Sequence, residues 1–151
     1  MDRIDVKLLN LLQEDASRTN ASLAELVALS PSSCLRRIQR LKKSGVIERI
    51  VALLNPAKSG RGMKALVTVE LERHGEPYMR AFLDSAAREP AVTHAYSVSG
   101  QTDAVLMLRL KDMEEYEGVC ERVLRDPNNV ARFSTMFVIR TAKEATAIPL
   151  P

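Results

Sequence analysis

The sequence has no tryptophan, three tyrosines and three phenylalanines, so aromatic residues fill only 4% of its 151 positions. A core must therefore come from Leu, Val, Ile, Ala and Met. Cysteine is as scarce. Cys34 and Cys120 stand in separate helical patterns. They make neither a metal quartet nor a disulfide framework, and both read as reduced, buried small hydrophobes. The two histidines, His74 and His94, lack Cys, His or acidic neighbours at ligand spacing, so no metal is expected; His94 reads as a packed structural residue. There is no Gly-x-Ser-x-Gly elbow and no phosphate-binding loop. Glu114, Glu115, Glu117 and Glu121 cluster on one helix and read as a solvated face. With no nucleophile–base constellation, the chain is expected to be no enzyme and to need no cofactor. No apolar run is long enough to span a bilayer, and the charged start Met1-Asp2-Arg3-Ile4-Asp5 lacks a signal-peptide core. A cytoplasmic chain without a membrane partner is expected.

What is present is ordinary globular composition, 46% hydrophobic and 27% charged, with an uneven charge distribution. Residues 1–62 carry 11 Lys+Arg against 6 Asp+Glu, a net of +5, whereas residues 63–151 carry 11 against 13, a net of −2. The basic half is the natural place for a polyanion. The division of the chain follows the same line: a helical domain over 1–54, a linker over 55–62 marked by Asn55-Pro56 and Ser59-Gly60-Arg61-Gly62, and an α/β domain over 63–151.

Three helices are expected in the first domain. Ile4, Leu8, Leu11 and Leu12 give one apolar face, with Asp2 as N-cap and Asp5 in the first turn, ending near Asp15. Ser22 and Glu25 have the spacing of a capping box, which starts a short second helix there. Ser30 caps a third, with Pro31 in its first position, running to about Lys43 and stopped by Gly45. Cys34, Leu35, Ile38 and Leu41 read as its buried stripe. Five of the eight residues from Arg36 to Lys43 are basic. A short helix, a tight turn and a Pro-started basic helix form a helix-turn-helix, whose second helix enters the major groove of double-stranded DNA. Ser32, Ser33 and Arg36 are placed for base edges, and Arg37, Arg40 and Lys43 for phosphates. Ala24 is small enough for two helices to cross closely; Ala28 occupies a turn position where Gly is commoner. Val46–Leu54 reads as a strand or short hairpin.

The second domain alternates: a strand over Met63–Glu72, a helix over Pro77–Arg88, strands over Val92–Ser99 and Asp103–Lys111, a helix capped by Asp112 with Tyr116, Val119, Val123 and Leu124 inward, and a strand over Val130–Arg140. This β-α-β-β-α-β order is the ferredoxin-like pattern. Helices cover one face of such a sheet, and a second copy is the simplest cover for the other. The turn Ser99, Gly100, Gln101, Thr102, Asp103 could bind a ligand: Gly100 lets backbone approach closely, neighbouring N–H groups suit a carboxylate, and Asp103 suits an α-ammonium. Thr135 and Met136 are weaker candidates for a facing wall. The same five residues are also the pattern of an ordinary hairpin turn.

Two blocks carry a family resemblance. The first is Asp2-Arg3-Ile4-Asp5 with Leu8-Leu9-Asn10-Leu11-Leu12-Gln13. The second and more specific is Leu29-Ser30-Pro31-Ser32-Ser33-Cys34-Leu35-Arg36-Arg37-Ile38, followed by Leu41 and Gly45-Val46-Ile47. With Leu54-Asn55-Pro56, Gly100-Gln101-Thr102-Asp103 and the ending Phe137-Val138-Ile139-Arg140 to Thr146-Ala147-Ile148-Pro149-Leu150, the chain resembles the Lrp/AsnC (feast/famine) regulators over nearly its whole length. It departs from them at Ala104, where many members carry an aromatic residue. The resemblance implies a winged helix-turn-helix domain and a ferredoxin-like sandwich. It also implies homodimers assembling into tetramers or octamers, and a small effector, usually an amino acid, bound between dimers. The competing reading is an amino-acid-binding module or metabolic enzyme whose N-terminal helices serve protein interaction.

Overall fold

The computed structural model describes residues 1–125 and 128–151. The chain divides into two compact units, Met1–Leu53 together with Ala142–Pro151, and Leu54–Thr141. The final segment, which the sequence places in the second domain, thus lies with the first, referred to below as the head.

In the head, α1 spans Arg3–Glu14, α2 Asn20–Leu26 and α3 Pro31–Lys43. Asp2 and Asp5 cap α1 reciprocally: the Asp5 amide donates to Asp2 Oδ1 at 2.9 Å and the Asp2 amide to Asp5 Oδ2 at 3.1 Å, the capping-box arrangement with aspartate in the glutamate position. The start of α2 corrects the sequence reading. Thr19 is the cap, accepting from the Ser22 amide at 3.2 Å, so Ser22 lies inside the helix. Thr19 also has a hydroxyl that can accept, so two caps compete here. The end of α2 is a Schellman motif: Leu29 N–H reaches Ala24 O at 2.9 Å and Ala28 N–H reaches Glu25 O at 3.1 Å. Ala28 occupies the left-handed position of this motif with φ 56°, a conformation that costs a residue with a Cβ about 1 kcal/mol.

Ser30 caps α3 as expected, accepting from the Ser33 amide. Asn20 Nδ2 donates to Pro31 O at 2.8 Å and ties α2 to the start of α3. Gly45 reverses the chain at φ 77°, and the Ile47 amide returns to Leu41 O at 3.0 Å. Leu8, Leu23, Ala24, Val27, Cys34 and Ile38 form the core. Val46–Leu54 makes no strand, contrary to the sequence reading. Its β-propensity is high, but a strand exists only where a neighbour completes its hydrogen bonds. Leu53 and Leu54 are instead more than 70% exposed.

In the second unit, β1 (Met63–Leu71), α4 (Glu76–Arg88), β2 (Val92–Ser97), β3 (Ala104–Leu110), α5 (Met113–Val119) and β4 (Val130–Phe137) follow in order, with a wider π-type turn over Cys120–Leu124 continuing α5. The strands are ordered β2-β3-β1-β4 and every pair is antiparallel, the ferredoxin-like sheet. Side chains alternate faces along a strand. Ala65, Val67, Val69 and Leu71 on β1 join Ala104, Leu106, Leu108 and Leu110 on β3 in one core with Phe82 and Ala86 of α4 and Val119, Val123 and Leu124 beyond. Glu89, at the end of α4, is buried and accepts from Arg122 Nε at 2.7 Å; that guanidinium holds its carboxyl below the usual range. Strand ends fall short of the sequence reading: β4 stops at Phe137, the residue paired with Ala65, and β3 begins at Ala104, paired with Val69.

Candidate functional site

The basic helix α3 buries only Cys34, Ile38 and Leu41. At about 100° per residue these three cover roughly 60° of the helix circumference. Leu35 lies outside that arc. It is 46% exposed, which corrects its assignment to the buried stripe. The outward stripe that remains is Ser32, Leu35, Arg36, Gln39 and Lys43, all exposed. Sequence reasoning passed over Leu35 and Gln39 as contact residues. Their signal was present in the 3.6-residue period, because both fall one turn from Ser32 or Arg36. Chemically, Leu35 suits a thymine methyl and Gln39 the N6/N7 edge of adenine.

The six residues expected to meet DNA have different surroundings. Ser32 is exposed, with its hydroxyl 3.2 Å from that of Ser30. Ser33 is half-buried and its hydroxyl accepts from Ser30 at 3.0 Å, so it is bound into the cap. Arg36 and Lys43 make no ion pair among the described residues and stand free. Arg37 does not. Its Nη1 is 2.7 Å from Asp2 Oδ2 and 2.9 Å from Asp5 Oδ1. Arg40 Nη2 reaches both oxygens of Asp5, at 2.9 and 2.7 Å, while the side chain remains 60% exposed. Asp5 is only 2% exposed. Burial pushes its carboxyl up, but the Asp2 amide, Arg37 and Arg40 outweigh that and hold it below the ordinary aspartate value. The Asp2–Asp5 pair therefore clamps α3 against α1, and Arg37 belongs to the clamp.

The Ser99–Asp103 turn is fastened to β1. The Asp103 amide donates to Val69 O at 2.9 Å, Asp103 Oδ2 accepts from the Leu71 amide at 2.7 Å, and Thr102 Oγ1 donates to Val69 O at 2.8 Å. These bonds extend the β1–β3 pairing past its last pair, Val69 with Ala104, where the Leu71 amide has no residue of β3 opposite it and takes the carboxylate instead. The other Asp103 oxygen faces His74 Nδ1 at 3.6 Å. Ser99, Gly100 and Gln101 are exposed, and Gly100 adopts φ 129°, open only to glycine. Thr135 and Met136 do not form one wall. Thr135 accepts from Tyr116 Oη at 2.8 Å on the helix-covered side, whereas Met136, 53% exposed, lies on the opposite face beside its pairing partner Leu66. Adjacent residues of a strand cannot share a face. Ala104 points into the helix-covered core, fully buried, so its small side chain is a matter of packing beneath the sheet.

Comparison with known proteins matches both parts. Residues 64–148 match the Lrp/AsnC ligand binding domain and residues 1–48 a winged helix-turn-helix DNA-binding domain. The chain belongs to the Lrp/AsnC family. It is a transcriptional regulator with a DNA-binding helix-turn-helix and a Lrp/AsnC ligand-binding domain. It is similar to the HTH-type transcriptional regulator y4tD of Sinorhizobium fredii, 37% identical over 99% of this chain and 89% of that protein. It is also similar to the leucine-responsive regulatory protein of Rhizobium meliloti, 34% identical over 99% and 96%. Among solved structures it resembles the transcriptional regulator NMB0573 of Neisseria meningitidis in complex with L-Met. The TM-score there is 0.92 with 32% identity, covering 99% of this chain and 96% of that one. No helix among the described residues is long and apolar enough to cross a membrane.

Proposed function

We propose that this Lrp/AsnC member reads specific double-stranded DNA through the outward stripe of α3 and that a small effector, an amino acid, modulates that binding from between dimers. The observation that carries the DNA reading is the stripe itself. Ser32, Leu35, Arg36, Gln39 and Lys43 are solvent-facing on a helix whose other side is packed into the head core. Arg36 is assigned to guanine, Lys43 to phosphate and Ser32 to a base edge or phosphate near the helix start, where free N–H groups also favour an anion. Ser33 supports the cap, Arg37 holds the clamp to α1, and Arg40 divides its donors between Asp5 and the backbone of the DNA. A homodimer would present two such helices to a palindromic site, and assembly to tetramers or octamers would create the inter-dimer contacts at which the effector binds.

For the effector, Ser99, Gly100 and Gln101 supply exposed backbone donors for a carboxylate, and Thr102 and Asp103 hold them in place from β1. The L-Met bound to the Neisseria relative supports the amino-acid class. Since Thr135 and Met136 face opposite ways, Met136 is retained for the facing wall and Thr135 for internal packing.

The test is binding to the DNA upstream of the protein's own gene, at two salt concentrations, with and without each of the twenty amino acids. Specific, salt-sensitive binding changed by one or a few of them is the expected result, because phosphate contacts release counterions. Specific binding that no amino acid alters would defeat the effector assignment. Absence of specific binding would defeat the DNA assignment and return the chain to a ligand-binding module.

A further inference from the structure

The side chain of Gln13 holds the last residues of the chain on the head. The Gln13 carboxamide, at the end of α1, binds the Ile148 backbone on both sides: the Ile148 amide donates to Oε1 at 2.8 Å and Nε2 donates to Ile148 O at 3.1 Å. This is the bond pair that a neighbouring strand would supply. Thr146, Ile148 and Leu150, at every second position, line a groove of about 820 Å³ with Leu9, Leu12 and residues 46–53. A two-residue repeat is the signature of an extended peptide presenting one face. Pro149 stiffens that peptide. It restricts Ile148 to extended backbone and lowers the ordering entropy that docking costs. The head core of Leu8, Leu23, Ala24, Val27, Cys34 and Ile38 contains no residue of this tail, so the helices have a closed core without it.

We infer that the C-terminal peptide, held on α1 by Gln13, is a second tether between the ligand-binding domain and the head. This rests on the DNA-reading function proposed above. The chain passes between its two units twice, at Leu53–Leu54 and at Thr141–Ala142. The Gln13 bonds fasten the second passage to α1 close to the end of the chain. With them, β4 is continued by a strap that ends on α1. The strap also has a physical connection to the effector turn. Asp103 and Thr102 are bonded to Val69 and Leu71 of β1, β1 is paired to β4, and β4 leads into the tail. Docking limits how far each DNA-reading helix can adjust to the spacing of two half-sites, and release widens that range.

The experiment compares the full-length protein with Q13A, Q13E and I148A. Alanine is a better helix former than glutamine, so Q13A retains α1. The first readout is hydrogen exchange over residues 145–150. In the parent protein the Ile148 amide exchanges at least about tenfold more slowly than in a free peptide, and Q13A abolishes the difference. Q13E, which keeps an acceptor and loses the donor, falls between. The second readout is affinity for a two-half-site DNA against the same DNA lengthened by half a helical turn. The parent loses about tenfold or more, and Q13A and I148A lose only about two- to threefold. A tail that exchanges like free peptide in the parent protein overturns the docking. A protected tail with the same spacing penalty in Q13A overturns the tether. Failure of the parent to bind any DNA specifically overturns the regulator reading and the tether's role with it, and the exchange data then still report separately whether the tail docks.

Discussion

The α3 stripe and the Ser99–Asp103 turn are both built from short polar motifs, yet their side chains are used in opposite ways. On α3 the residues of greatest chemical reach, Arg36, Gln39 and Lys43, point away from the head and are exposed. In the turn the residue of greatest chemical interest, Asp103, spends one carboxylate oxygen on the Leu71 amide and its own amide on Val69. A helix separates its packing face from its working face, so one element can hold a whole site. A hairpin turn has no such separation. Its side chains first satisfy the strand ends they join, and a ligand site there has to be completed by backbone groups and other surfaces.

That contrast can be broken or sharpened by substitution, and the largest effect belongs to the clamp that makes the working face of α3 possible. Asp5→Ala removes the partner of Arg40, leaves Arg37 with Asp2 alone, and opens the reciprocal cap of α1. A loss of about 3 kcal/mol of head stability is expected, read by denaturant or thermal unfolding. Its pH dependence follows from the direction of the shift. The folded protein holds the Asp5 carboxyl below its ordinary value, so the clamp stabilises the head above about pH 4. That contribution is lost as the pH falls through the folded pKa, and the mutant should show no such acid component. A mutant as stable as the parent would mean that α1 and α3 are held by apolar packing alone.

Arg36→Ala comes next and tests the free face. It should lower affinity for the specific site by about 10- to 100-fold and relax discrimination at one base pair, with unfolding unchanged. Lys43→Ala should weaken all sequences alike and reduce the salt slope by about one. If both mutants behaved as Lys43→Ala is expected to, α3 would be a phosphate-binding helix without sequence readout.

On the side of the turn, Asp103→Asn keeps an oxygen for the Leu71 amide and removes the charge available to an α-ammonium. About a fivefold weaker amino-acid effect on DNA affinity is expected, with DNA affinity itself retained. An unchanged response would assign Asp103 wholly to bracing β1 and leave the effector to the exposed backbone of Ser99, Gly100 and Gln101. The smallest effect is at Ala28. Ala28→Gly relieves the left-handed backbone at φ 56° and should raise the unfolding free energy by about 0.5 kcal/mol, since the strain relieved slightly exceeds the added entropy of glycine in the unfolded chain.

Local rules made much of this molecule legible in advance. Ser30 with Pro31 located the start of α3, Asp2 with Asp5 located that of α1, Asp112 capped α5 through the Glu115 amide, and the alternation of Val67, Val69, Leu106 and Leu108 specified which sheet face is buried. Each depends on residues within a few positions of one another. Apart from Ser22, which lost the α2 cap to Thr19 three residues away, the misreadings share the opposite property. Leu35 is apolar, but the arc buried on α3 is set by how much of it the other head helices cover. Val46–Leu54 has strand composition without a paired neighbour, and Thr135 and Met136 could be separated only by the pleat of a located strand.

What the sequence determined by itself is the order of the helices and sheet strands, the caps of α1, α3 and α5, and the basic helix, because propensity, capping and periodicity act over one or two turns of chain; the family resemblance rested on its motifs. The tertiary structure alone decided the rest: which arginines of α3 are free, which atoms of the turn are already committed to β1, and that the C-terminal tail lies against Gln13. Those outcomes join residues 32 to 135 positions apart, and at such separations composition and spacing carry no information about which donor meets which acceptor.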